Sequence, residues 1–203
     1  MTIISSGQTL AVSSGQIDTG DIVRSGGTLD VLSGGTEISA SISGVENDFG
    51  LTRSSTVFAG GVMNVFAGGT ADHLLVSSGG TLDVLGAITS NTRVLSGGVE
   101  NISSGGLISG APNSGTSVSG GMLNVLAGGT AEFFSVSGSS GVANVSGTAE
   151  SPILPPVIKR FHEFVTPFPM SRSRLCPNVD YVGAGLLAPW QPLCDTVHAG
   201  IIE

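Results

Sequence analysis

The stretch SGGTLDVLSGGT, from Ser25 to Thr36, carries two Gly-Gly-Thr triplets with an alternation of Leu29, Asp30 and Val31 between them. Similar units return throughout the first 150 residues. The second glycine of each leading pair, or the residue that replaces it, marks the repeats at Gln8, Gly27, Gly44, Gly61, Gly80, Gly98, Gly121 and Gly141. A period near 19 residues predicts a repeat architecture, in which one supersecondary unit stacks on the next.

The residues around each mark alternate with the period of a β-strand. The positions two and four after the mark are mostly apolar, as at Leu29 and Val31, and the position between them is polar in seven of eight repeats. That polar column, called here the Asx column, consists of Asp30, Asn47, Asn64, Asp83, Asn101, Asn124 and Asn144. A further apolar column is predicted four residues before the mark, at Ile4, Val23, Ala40, Val57, Val76 and Val94, ending in Ser117 and Ser137.

Short strands separated by tight glycine turns predict an all-β fold, a parallel β-solenoid of about eight coils over residues 1–150. Residues 151–203 differ in composition, since they hold eight of the nine prolines and only three of the 32 glycines. We therefore expect a second region, a proline-rich irregular tail. Two interpretations of the tail stay open: a cap on the last coil, which would otherwise leave a sheet edge unpaired, or a segment read in a shifted frame.

Charge and hydropathy exclude several classes of function. The net charge of -8 disfavours a nucleic-acid partner, which requires clustered Lys and Arg. No apolar run is long enough to predict a membrane-spanning helix, and the start of the chain lacks the features of a signal peptide. In the tail, Cys176, Cys194 and His198 are too few and too widely spaced for a zinc site, so we interpret them as incidental.

Five units carry a resemblance to a known family. They are SGGTLDVLSGGT (Ser25 to Thr36), AGGVMNVFAGGT (Ala59 to Thr70), SSGGTLDVLG (Ser77 to Gly86), LSGGVENISSGG (Leu95 to Gly106) and SGGMLNVLAGGT (Ser119 to Thr130). This pattern resembles the repeats of AIDA-type autotransporter adhesins. The resemblance implies a right-handed β-helix on a bacterial surface or secreted from the cell, acting in adhesion, self-aggregation and biofilm formation.

The chain departs from full members of that family, because its repeat array is short and it shows neither an export signal nor the strands of a translocator barrel. A passive stalk, or a fragment of a larger autotransporter, is therefore an alternative. Similar repeats also occur in proteins that start with an SSGQT-like segment and end in a Hint autoprocessing domain. The start ISSGQTL (Ile4 to Leu10) is similar to those proteins.

Two chemical interpretations compete with simple structural roles. The Asx column could bind calcium or sugars, but a ladder of side-chain hydrogen bonds between coils is the simpler expectation. A carbohydrate-active β-helix enzyme would need converging carboxylates, for which Glu46, Asp48 and Asp72 are candidates, with Arg53 or His73 nearby. We instead expect Glu46 and Asp48 to be solvated in a degenerate coil. The sequence thus predicts a non-enzymatic protein without cofactor or metal, whose partners are other copies of itself or surface glycans and proteins.

Overall fold

A computed structural model describes residues 1–110, 114–150 and 161–163, and in these ranges the regular structure consists of β-strands alone. Strands from three parallel sheets follow one another along the chain. Sheet A contains β1 (Ile3–Ile4), β4 (Ile22–Val23), β7 (Ser41–Ile42), β10 (Thr56–Val57), β13 (Leu75–Val76), β16 (Arg93–Leu95), β19 (Ser117–Ser119) and β22 (Ser135–Ser137).

Sheet B contains β2 (Thr9–Val12), β5 (Thr28–Val31), β8 (Val45–Asp48), β11 (Val62–Val65), β14 (Thr81–Val84), β17 (Val99–Ile102), β20 (Met122–Val125), β23 (Val142–Val145) and β25 (Phe161–Glu163). Sheet C contains β3 (Ile17–Thr19), β6 (Thr36–Ile38), β9 (Leu51–Arg53), β12 (Thr70–Asp72), β15 (Ala87–Ser90), β18 (Leu107–Ile108), β21 (Thr130–Glu132) and β24 (Thr148–Glu150).

Each coil of the solenoid is made of one strand from each sheet, and each strand pairs with its equivalent in the next coil. Leu29 of β5, for example, lies beside Leu10 of β2 on one side and Glu46 of β8 on the other. Eight complete coils result, from β1 to β24. The predicted parallel β-solenoid of about eight coils is therefore confirmed, and at about 4.8 Å between paired strands it is roughly 38 Å long.

The core is built from columns of inward side chains, two in sheet B and one in each of sheets A and C. In sheet B the buried residues alternate with the Asx column, as at Leu29 and Val31. In sheet A the buried column is Ile4, Val23, Ile42, Val57, Val76, Val94, Val118 and Val136. Such columns stabilise the stack because each buried aliphatic side chain contributes about 1.5 to 3 kcal/mol.

The predicted sheet A column was wrong in three coils. Ala40 lies ahead of β7, where Ile42 occupies the core position, and Ser117 and Ser137 flank the buried Val118 and Val136. The reason is that the turn between sheets A and B varies in length. The position four residues before the glycine is therefore not the core position in every coil. The apolar column therefore continues through the last coils.

A double glycine forms the turn between sheets A and B. In the turn after β10, Gly61 N donates to Phe58 O at 2.9 Å, and Gly60 has a φ of 77°, as in a type II turn. Gly61 itself has no positive φ, but a Cβ there would overlap the carbonyl of Ile42 in the preceding coil. The first glycine therefore supplies the turn conformation, and the second allows the coils to stack closely.

The corner between sheets C and A has a different construction. Its left-handed position is occupied by a non-glycine residue in several coils: Ser39, Ser54, His73, Asn91 and Phe133. The residue that follows a left-handed position is buried in the core at Asp21, Ala40, Ser55, Leu74, Thr92 and Phe134, and Thr116 takes the same place in the seventh coil. This corner thus provides an additional inward column, which is polar in several coils.

The tail contributes one short strand. β25 pairs in parallel with β23, placing Phe161 beside Ala143 and Glu163 beside Val145. Residues 161–163 therefore extend sheet B beyond the last complete coil, and the other residues of the predicted tail lie outside the described residues. Cys176, Cys194 and His198 lie outside the described residues.

Candidate functional site

The Asx column forms two hydrogen-bonded ladders on the outer face of sheet B. All seven side chains are half-buried. In the first ladder, Asn47 Nδ2 donates to Asp30 Oδ1 at 2.8 Å and Asn64 Nδ2 donates to Asn47 Oδ1 at 3.0 Å. The second ladder joins Asp83, Asn101, Asn124 and Asn144 by bonds of 2.7 to 2.8 Å. These side-chain contacts tie successive coils together.

Another outward column lies beside the Asx column. The first residue of each complete-coil strand in sheet B also faces outward and is a threonine, valine or methionine: Thr9, Thr28, Val45, Val62, Thr81, Val99, Met122 and Val142. From β2 to β23, the outward positions of sheet B hold two charged residues, Asp30 and Asp83, and no cation. The face is therefore regular and weakly charged.

An apolar ridge runs along the edge of this face, at the corner where sheet B turns toward sheet C. It consists of Leu32, Phe49, Phe66 and Leu85, one residue from each of four successive coils. The rings of Phe49 and Phe66 stack with centroids 4.5 Å apart and an interplanar angle of 4°. Because Leu32 and Phe49 remain about 40% and 39% exposed, the ridge is available for contact with another surface.

Glu46 and Asp48 are buried, so the expectation that they are solvated was wrong. Both belong to β8 and take the inward positions that Leu29 and Val31 hold in the preceding coil. Thr52 Oγ1 donates to Glu46 Oε1 at 2.6 Å, and Gly50 N donates to Asp48 Oδ1 at 2.9 Å. The stack fixes which face of the strand points inward, and this placement overrides the preference of carboxylates for water.

Burial changes the acidity of these groups. Desolvation raises the pKa of Glu46 to about 8 and that of Asp48 to about 7, against partial opposition from the hydrogen bonds to Thr52 and Gly50. Glu100 occupies the same inward column in β17, and burial likewise raises its pKa to about 8. Glu46 and Glu100 are therefore mainly protonated at neutral pH, which avoids an uncompensated charge in the core.

The three candidate catalytic acids do not meet on one patch. Glu46 and Asp48 are closed to solvent, whereas Asp72 lies at the outer corner of sheet C. There its carboxylate contacts Arg53 Nε at 3.2 Å and His73 Nδ1 at 3.3 Å. The structure thus brings together Asp72, Arg53 and His73 and separates them from the two buried acids.

Sequence reasoning missed another acidic group, made of Asp18, Asp21 and Glu37. These three carboxyl groups lie close enough to one another to share a metal ion. Its members lie on β3, on the corner that follows β3, and on β6. The alternation in Thr36–Ile38 could have indicated that Glu37 points inward. A strand of three residues is, however, too short to show a period.

Comparison with known proteins adds a likeness of fold. No protein-family model matches the chain, and no curated protein matches it significantly. Among solved structures, the chain is similar to the crystal structure of a hyper-glycosylated TibA fragment whose glycosylation is catalysed by TibC. The two share 24% identity with a TM-score of 0.53, over 76% of this chain and 78% of the fragment. At this identity the match shows a common fold.

The described residues include no helix with the length and hydropathy needed to cross a bilayer.

Proposed function

We propose that this solenoid is an adhesin-like rod of a bacterial surface or secreted protein, which acts through the outer face of sheet B. The observation that carries the proposal is the combination of the weakly charged Asx face with the apolar ridge beside it. A polar surface with few charges forms contacts at a lower desolvation cost than a strongly charged one, and an exposed aromatic pair adds apolar contact area. The fold that the chain shares with the glycosylated TibA fragment agrees with the β-helix that the resemblance to AIDA-type adhesins implies.

Repetition supplies the affinity in this proposal. Each coil presents nearly the same outward groups at a spacing of about 4.8 Å, so that one weak contact is repeated along the rod. Linked weak contacts gain strongly through effective concentration. Adhesion and self-aggregation follow from this geometry without a deep binding pocket, and we propose that the protein has no enzymatic role.

Surface display tests this proposal. Bacteria displaying the full chain should clump and settle faster than cells without it, and a Phe49→Ser/Phe66→Ser double variant should reduce clumping several-fold. The control is Phe58→Ser, because Phe58 is about 43% exposed but lies at the other corner of sheet B. Equal loss in both variants would contradict the role of the ridge. Unchanged clumping and unchanged binding to glycan and host-protein surfaces on display would favour a passive stalk.

A further inference from the structure

The inward column of sheet C changes character along the rod. In later coils it holds small or apolar residues such as Ala71 and Ile88. In the first three coils it holds Asp18, Glu37 and Thr52 instead. Asp21, on the inward column of the neighbouring corner, lies beside them. The first two coils therefore bring three carboxyl groups together on the side of the core where the sheet C column of later coils is small or apolar.

The three carboxyl groups converge on one point. Asp18 and Glu37 are partners in the register of β3 and β6, and Asp21 follows the left-handed Gly20 at the corner. One oxygen from each group lies within 4.8 Å of the corresponding oxygens of the other two. Two oxygens bound to one calcium ion at about 2.4 Å are separated by at most about 4.8 Å, so the spacing is compatible with a shared ion.

Three of the six carboxyl oxygens in this group lack hydrogen-bond partners. Glu37 is fully buried, and neither Oε1 nor Oε2 has a hydrogen-bond partner. Asp21 is also fully buried, and its Oδ2 is unpartnered, although Oδ1 accepts from the Thr2 amide at 2.6 Å. Asp18 is half-buried and accepts from the Thr19 amide at 2.8 Å. Three buried, unsatisfied carboxylate oxygens are costly unless a cation or protons occupy the space between them.

The nearest protein cation compensates this charge only in part. The amino group of Met1 lies 3.9 Å from Asp21 Oδ1 and is largely exposed, and it faces the oxygen that already accepts from Thr2. Burial, together with the charges of Asp21 and Asp18, raises the pKa of Glu37 to about 7. The amino group therefore leaves both oxygens of Glu37 and Oδ2 of Asp21 without a partner.

We propose that Asp18, Asp21 and Glu37 bind one calcium ion between the first two coils. Calcium fits better than magnesium, because calcium accepts irregular arrangements of carboxylates and water, whereas magnesium requires near-octahedral geometry and loses its water reluctantly. The half-exposed Asp18 is on the entry path and leaves room for water to complete the coordination. The ion stabilises the first coils of the rod, and this role is independent of adhesion by sheet B.

Thermal unfolding of the full chain, followed by circular dichroism after treatment with a chelator, tests the site. At neutral pH, millimolar calcium should raise the Tm by several degrees, because a ligand that binds only the folded state stabilises it. Magnesium at the same concentration should raise the Tm much less. Calorimetric titration with calcium should show one ion per chain.

Variants connect the effect to these residues. Glu37→Gln should abolish the calcium-dependent rise in Tm, and Asp18→Asn, at a half-exposed position, should weaken calcium binding at least tenfold even if Glu37→Gln does not fold. Glu100→Gln is the matched control, since Glu100 is equally buried but isolated in the sixth coil, and it should keep the full calcium response. A wild-type Tm that does not respond to calcium, or equal responses in wild type and Asp18→Asn, would overturn the proposal. Neither result bears on cell clumping caused by the ridge.

Discussion

The direction of the side-chain hydrogen bonds explains why the Asx column is divided. In every bond of the column, the Nδ2 of the later residue donates to the Oδ1 of the earlier one. Aspartate lacks the side-chain amide of asparagine, so Asp83 accepts from Asn101 but has no amide to donate to Asn64, its register partner in the preceding coil. Each ladder therefore starts at an aspartate, and its length is set by one chemical difference between Asp and Asn.

Replacing Asp83 should join the two ladders. In Asp83→Asn the new amide can donate to Asn64 Oδ1, and we expect a gain of about 1 kcal/mol in the free energy of unfolding, typical of one added hydrogen bond. Asp30→Asn is the matched control, because Asp30 lies in the same local sequence, Thr-Leu-Asp-Val, but its partner in the preceding coil is Ala11. Urea unfolding of both variants measures the difference. If the two changes in stability are equal, no inter-ladder bond has formed.

The glycine turns are the elements that set the distance between coils, and their two glycines have separable roles. Gly60 needs its left-handed φ of 77°, while a Cβ added there would meet no atom within 4 Å. Gly61 needs space, since its Cα hydrogens face the Ile42 carbonyl of the preceding coil. In the other double-glycine turns the first glycine again has a positive φ and the second again approaches a backbone carbonyl of the preceding coil, although a Cβ at Gly26 or Gly34 would also meet a serine side chain.

Substitutions in the turn after β10 should separate these roles. Gly60→Ala should cost about 1 to 2 kcal/mol because of the left-handed backbone, and Gly60→Asn should cost less, since asparagine adopts that conformation more readily. Gly61→Ala should cost more than either, because relief of the overlap requires movement of two stacked coils. Thermal unfolding of the three variants provides the ranking. A milder effect for Gly61→Ala than for Gly60→Ala would contradict the close-approach role.

The whole solenoid could be predicted from the sequence because its period and its alternation repeat eight times. The inward position of Glu46 and Glu100 was also readable, since both lie in the column of Leu29 and Leu82. What failed was the expectation that a carboxyl group must reach water. A single strand could rotate or slip to expose Glu46, but here both neighbouring strands hold its register, and protonation costs less than breaking the stack.

The parts of the molecule that escaped prediction share a physical cause. The sheet A column was misplaced where a turn gains or loses residues. The prediction counted four residues back from the glycine, whereas the core position is set by the pairing of sheet A strands in neighbouring coils. The group of Asp18, Asp21 and Glu37 combines residues from two coils and a corner, and its members become neighbours only through stacking. The alternation within one strand therefore does not indicate that these three carboxyl groups lie together.

The buried acids give the whole molecule a pH dependence with a defined sign. Glu46 and Glu100 have folded pKa values of about 8, raised by burial from an ordinary value of 4.5. Between these limits the folded chain binds more protons than the unfolded chain, so the free energy of unfolding falls as the pH rises. Glu37 and Asp48, with pKa values raised to about 7, act in the same direction. The rod should therefore be most stable in mild acid and lose stability through the neutral range up to about pH 8.

Glu100→Leu should remove the contribution of one buried carboxyl group to the pH dependence of stability. Glu100 lies between Leu82 and Leu123 in the same buried column, so a leucine there continues an existing stack. The substitution also removes a carboxyl group that lowers the free energy of unfolding by about 1.36 kcal/mol for each pH unit between its unfolded and its folded pKa. Relative to wild type, the variant should gain several kcal/mol above pH 8 and much less below pH 5, as measured by urea unfolding at a series of pH values. Glu150→Gln, which alters an exposed carboxylate at the end of β24, should leave the profile unchanged. A Glu100→Leu profile parallel to that of wild type would show that the buried carboxyl is not the group whose titration destabilises the solenoid.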